Sequence, residues 1–129
     1  MTIMVVDDSR IMRNTVKTVF AGMKIPCTYV EAADGEEALA LLEVDSFDLI
    51  LLDWNMPKLS GIDFLKTVRA NPQYKSLPII MVTSESAKFN VIEALKNGAT
   101  DYVTKPINPD LFKEKISRLP IFKEAEEQP

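Results

Sequence analysis

The chain has 129 residues, 47% apolar and 26% charged, which fits one ordinary globular domain spanning 1–129 and argues against a disordered tail or a membrane protein. Fifteen basic against nineteen acidic residues leave a net charge of −4 with no dense run of Lys or Arg, so direct nucleic-acid binding is not expected. The single cysteine, Cys27, reads as a small core residue, and the absence of histidine removes Ser-His-Asp and Cys-His catalysis, HExxH zinc sites and an internal phosphohistidine.

Ile3–Val6 is a first apolar run, read as a strand. Met12, Val16, Val19, Phe20 and Met23 then recur at helical spacing. A second strand is predicted at Tyr29–Glu31, and Asp34 with Glu37 has the spacing of a capping box opening a helix that carries Ala38, Leu39 and Leu42. Leu49–Leu52 follows as a third strand without polar alternation, as a strand buried on both faces should read. Ser60 with Asp63 is a second capping box, leading to a stripe of Ile62, Leu65 and Val68 that Asn71-Pro72 ends.

Ile79–Val82 is a fourth strand, again without alternation, and Val91, Ile92 and Leu95 form the next helical stripe, stopped at Asn97-Gly98. Tyr102–Val103 is a short fifth strand. Asn108 before Pro109 caps a last helix with Phe112, Ile116 and Leu119 on one face, and Lys123–Pro129 reads as a charged, frayed tail. No apolar stretch approaches the roughly 20 residues of a membrane span. Met1–Asp8 lacks the basic region of a signal peptide, so a cytoplasmic location is expected.

Strand and helix alternating five times with short connections call for a doubly wound α/β domain, a five-stranded parallel sheet flanked by five helices. Ligands of such sheets bind beyond the carboxyl ends of the strands. Asp7-Asp8, Asp53, Thr83-Ser84 and Thr104-Lys105-Pro106 all fall there. Alone, the acidic pair reads as a helix cap plus a solvated acid, Thr83-Ser84 as a loop cap and Lys105-Pro106 as a surface turn. Together they make one mouth.

Three close carboxylates repel one another unless a cation neutralises them, and Mg²⁺ suits few protein ligands with waters retained for a phosphoryl group. A lysine and a hydroxyl beside such an ion form the electrostatic clamp of phosphoryl transfer, with Asp53 as the natural carboxylate acceptor.

Val5-Val6-Asp7-Asp8, Asp53-Trp54-Asn55-Met56-Pro57 with Gly61, Thr83, and Lys105-Pro106 closely resemble the receiver domain of two-component response regulators, over about residues 2–120. Within that family the CheY-like chemotaxis branch is the nearest in pattern. The resemblance implies a flavodoxin-like sheet of order 2-1-3-4-5. It also implies that Asp53 accepts a phosphoryl group from a phosphohistidine on a sensor histidine kinase. Asp8, Asp53 and the backbone carbonyl of Asn55 would ligate Mg²⁺, with Asp7 acting through water.

Lys105, joined to Pro106 by a cis peptide, would pair with the phosphoryl oxygens, and Thr83 would hydrogen-bond them. Tyr102 would turn into the space Thr83 vacates, reshaping the surface of the fourth helix, fifth strand and fifth helix for a protein effector. The resemblance further implies a monomer, an effector such as a flagellar motor switch protein, and a partner phosphatase. Glu85 flanks the site, and Ser84 is larger than the alanine or glycine frequent there, which bears on phosphoryl access and lifetime.

Three other functions compete. A haloacid-dehalogenase-type phosphatase also forms an aspartyl phosphate but needs a second Asp two residues on, where this chain has Asn55. A pseudo-receiver would have lost an acid, Thr or Lys, and all are present. A phosphorelay intermediate or a non-chemotaxis regulator shares the same motifs.

Overall fold

The computed structural model describes all residues except 24–25, 85–87 and 121–129; Glu85 and the expected tail Lys123–Pro129 lie outside the described residues. Five strands, β1 (Thr2–Val6), β2 (Thr28–Ala32), β3 (Leu49–Asp53), β4 (Ile79–Thr83) and β5 (Asp101–Thr104), alternate with α1 (Arg10–Ala21), α2 (Gly35–Val44), α3 (Gly61–Arg69), α4 (Lys88–Lys96) and α5 (Pro109–Ser117). The strands form one parallel sheet in the order β2-β1-β3-β4-β5. The doubly wound reading and its 2-1-3-4-5 order therefore hold.

The helices divide the core in two. Val16, Val19 and Phe20 of α1 and Phe112 and Ile116 of α5 pack on one face, where Phe20 meets Phe112 edge-on at 5.6 Å. Ala38 and Leu42 of α2, Phe64, Leu65 and Val68 of α3 and Ala94 of α4 cover the other. Every residue of β3 and β4 is buried, because each side of those strands has helices above it. In β2 only Ala32 is buried, as suits a strand at the sheet edge.

The expected caps form. Asp34, Ser60 and Asn108 accept the amides of Glu37, Asp63 and Leu111, satisfying donors that a helix start leaves unpaired. Gly98, at φ +102°, supplies the left-handed turn after α4.

Two expectations need correction and a third is extended. The stripe Val91, Ile92 and Leu95 is not the buried face of α4: Ile92 is 52% and Leu95 44% exposed, and the helix seats through Ala94. A small residue lets the helix lie close to the sheet and turns its larger apolar groups outward. Asn71-Pro72 follows the end of α3 as expected, and Asn71 also caps a single 3₁₀ turn, Pro72–Tyr74. Cys27 is only half-buried; burial raises its thiol pKa, and it shares a hydrogen bond with Tyr29, whose hydroxyl is pushed up to about 12, mainly by burial.

Candidate functional site

Register builds the site. Val6 pairs with Leu52, Asp53 with Val82 and Thr83 with Thr104, so Asp7, Asp53, Thr83 and Lys105 reach the same edge of the sheet within a residue of one another. The strands end there because helix starts follow them. Ser9 caps α1 by accepting the amide of Met12, and its own amide donates to Asp7 Oδ1 at 2.8 Å.

Lys105 Nζ stands 3.1 Å from Asp7 Oδ2 and 3.2 Å from Asp53 Oδ1. Asp7, Asp53 and Thr83 are buried, while Asp8 is exposed at the mouth. Burial, reinforced by the charge of Asp7, raises the Asp53 carboxyl above its ordinary pKa, against the opposing pull of Lys105 and the Trp54 amide. Burial also weighs on the Lys105 ammonium, but its bond to Asp7 and the charges of Asp53 and Asp7 outweigh that and hold it above its usual value.

Asp7, Asp8 and Asp53 each offer a carboxylate oxygen, and these oxygens lie within 4.8 Å of one another. An all-carboxylate set of this kind fits a hard divalent cation such as Mg²⁺ and is a poor site for a soft metal. Asn55 sits in the exposed turn after Trp54, and Ser84 is exposed beside Thr83. The Lys105–Pro106 peptide is cis, and the Lys105 amide donates to the Thr83 carbonyl at 2.8 Å.

Behind Asp53 the backbone closes tightly. The Gly61 amide donates to the Trp54 carbonyl at 2.8 Å, and a Cβ on Gly61 would come within 2.1 Å of the Asp53 carbonyl oxygen. Only glycine lets α3 start this close to the end of β3.

Tyr102 lies half-buried on β5. Lys115 stands over its ring, 4.0 Å from the centroid, and also donates to the Tyr102 carbonyl. Ile92, Leu95 and Leu111 leave exposed apolar surface on the neighbouring helices.

Two residues were missed in the sequence. Ser9, placed three residues before Met12, had a readable N-cap signature. Arg13 donates to the Asp7 carbonyl and to Glu31 Oε1 at 3.0 Å, tying the start of α1 to the acidic strand end and to β2. A cation in the first turns of a helix opposes the helix dipole, and that anomaly could have marked it.

Residues 3–117 match the response regulator receiver domain, and the chain belongs to that family. Among curated proteins it is 41% identical over 119 residues to the chemotaxis protein CheY of Pseudomonas aeruginosa, covering 92% of this chain and 95% of that protein. It is also 41% identical over 117 residues to CheY1 of Helicobacter pylori, covering 90% and 94%. Among solved structures, the chemotaxis response regulator CheY4 of Vibrio cholerae superposes with a TM-score of 0.81 at 37% identity, covering 91% and 96% of the two chains. The Mn(2+)-bound form of response regulator Rcp1 does so at 0.80 and 28%, covering 99% and 96%. The protein is thus a receiver of the signalling phosphoacceptor class with CheY homologues, and no helix among its described residues is long and apolar enough to cross a membrane.

Proposed function

We propose that this chain is a cytoplasmic response regulator receiver whose Asp53 is phosphorylated by a partner histidine kinase. The observation that carries the reading is the Lys105 ammonium held between Asp7 and Asp53, beside a three-carboxylate group. Asp8, Asp53 and the Asn55 carbonyl would hold Mg²⁺, with Asp7 acting through water; the Mn(2+)-bound relative supports a divalent ion in this class of protein. When bound, the ion offsets negative charge on the carboxylates and on the incoming phosphoryl oxygens.

The residues divide the remaining work. An Asp53 carboxylate oxygen attacks phosphorus; the P–N bond to the donor imidazole breaks, and the imidazole departs with the bonding pair and takes up a proton. Lys105 faces the phosphoryl oxygens and Thr83 hydrogen-bonds them. Movement of Thr83 toward the phosphoryl group opens room for the Tyr102 ring to turn inward, which alters the α4–β5–α5 surface. Ser84, exposed beside Thr83, bears on access of water and hence on phosphoryl lifetime.

That surface recognises an effector protein. Relatives named as chemotaxis proteins favour a flagellar motor switch protein, with a phosphatase resetting the switch and the chain acting as a monomer. Asn55 at the second position after Asp53 disfavours a haloacid-dehalogenase-type turnover.

Trp54, the only tryptophan, adjoins Asp53 and reports on it. Mg²⁺ should quench its fluorescence saturably, and acetyl phosphate should cause a further reversible change that Asp53→Ala abolishes. No response to either addition would overturn phosphorylation and leave a phosphorylation-independent binding module.

A further inference from the structure

The ends of α3 and α4 meet at the pole opposite Asp53. Lys66 and Arg69 lie in the last turn of α3, Lys96 in that of α4, and Lys75 follows the 3₁₀ turn. These four surround an open depression of about 490 Å³ rimmed by Asn97 and Gly98. None of Lys66, Lys75 and Lys96 forms an ion pair among the described residues.

Arg69 is half-buried and bound only to carbonyls. Its Nε donates to Gly98 at 2.9 Å and its Nη1 to Tyr74 at 2.7 Å, while Nη2 makes no bond among the described residues. Burial lowers its pKa, with no carboxylate acting against the shift. The contrast is Lys105, where two carboxylates outweigh burial. A part-buried cation ordinarily has an anionic partner, and among the described residues Arg69 has none.

Helix dipoles explain a single basic residue in a last turn, but not this convergence. Each helix C-terminus carries roughly half a negative charge, so four cations around two such ends leave about +3, and about +2 once Glu93, whose Oε1 accepts from Asn97 at the rim, is counted. That patch stands on a chain of net charge −4.

The occupant follows from what the depression lacks. The amides of Asn97, Gly98 and Ala99 are already spent on the carbonyls of Glu93, Leu95 and Ala94, so no backbone nest awaits a phosphate. Among the described residues no aromatic ring lines it to stack a base. Lysine ammoniums supply charge without fixed shape, which suits carboxylates spread along an extended, adaptable segment.

We propose that the Lys66, Arg69, Lys75 and Lys96 cluster docks a carboxylate-rich segment of a partner protein. The Thr100 amide beside this cluster bonds Ile79, the first residue of β4, whereas Thr83 ends that strand at the phosphoacceptor mouth. The four residue steps of that strand separate the two by roughly 13 Å. A partner tethered at the basic pole therefore leaves Asp53 open to its phosphodonor.

The probe is a fluorescein-labelled deca-glutamate peptide, followed by anisotropy and by amide shifts in two-dimensional NMR. Saturable binding is expected, weakening as salt rises, with shifts confined to residues 66–75 and 96–100. Lys66→Glu, Lys75→Glu and Lys96→Glu together should raise the dissociation constant at least tenfold. Arg10→Glu, Lys17→Glu and Lys113→Glu together make the same change in net charge and should leave it within twofold. No binding, equal loss in both triple variants, or shifts centred elsewhere would overturn the proposal. Tighter binding of a ten-unit polyphosphate at the same residues would overturn the carboxylate assignment. The unphosphorylated chain is used throughout, so the result is independent of the Asp53 reading.

Discussion

The carboxylate mouth at Asp53 and the α4–β5–α5 face are built differently. Asp53 and Thr83 end strands whose every residue is buried, and Gly61, Ser9 and the Lys105 ion pairs fix the chain around them. On the neighbouring face, Ile92, Leu95 and Leu111 are left uncovered and Tyr102 is half-buried under Lys115. The carboxylate cluster is set in close-packed surroundings that resist displacement, whereas the neighbouring face exposes side chains the core does not need.

The contrast is broken most severely at the rigid end. Gly61→Ala should cost about 3 kcal/mol, because the new methyl cannot fit against the Asp53 carbonyl without moving β3 or α3. Urea unfolding measures the loss, and the Trp54 response to Mg²⁺ should weaken with it. Unchanged stability would mean that the close approach is not maintained in solution.

Asp53→Asn tests the opposite sign. The folded carboxyl holds its proton to higher pH than in the unfolded chain, so its contribution is present below the ordinary carboxylate range and lost as pH rises. At neutral pH without Mg²⁺ the ionised group is therefore a cost, and the amide should stabilise by on the order of 1 kcal/mol. Lys105 keeps Asp7 as a partner in that variant.

The soft face should behave otherwise. Ile92→Ser and Leu95→Ser should each change stability by no more than about 0.5 kcal/mol, since neither side chain is in the core. Binding of the phosphorylated chain to its effector, read by titration calorimetry, should fall at least tenfold.

The smallest effect lies at the sheet edge. Tyr29 titrates at about 12 against an ordinary 10.0, so its contribution is intact below pH 10 and disappears as pH rises toward 12. Tyr29→Phe should flatten that alkaline decline in melting temperature and leave the curve at pH 7 in place.

Much of the site was legible because the architecture constrains it. Leu49–Leu52 and Ile79–Val82 lack alternation, which marks strands covered on both faces, and residues following such strands in a parallel sheet share one edge. Asp7, Asp53, Thr83 and Lys105 could be gathered on that logic before any coordinates. The Arg13 contact with the Asp7 carbonyl could not, since it depends on the rotamer of one long side chain. The face of α4 was misread because apolar spacing at Val91, Ile92 and Leu95 records hydrophobicity and not its destination.

Local chemistry, then, determined the strands, the caps at Asp34, Ser60 and Asn108, and the residues at the strand ends, because each depends on side chains a few positions apart. Tertiary structure decided which surfaces were used up. Lys105 meets Asp7 across 98 positions of sequence, and Ala94 displaces Ile92 and Leu95 from the core. The four cations from α3, α4 and the 3₁₀ turn converge only when those elements pack. Such contacts follow from the distance between elements after folding, a quantity no local pattern contains.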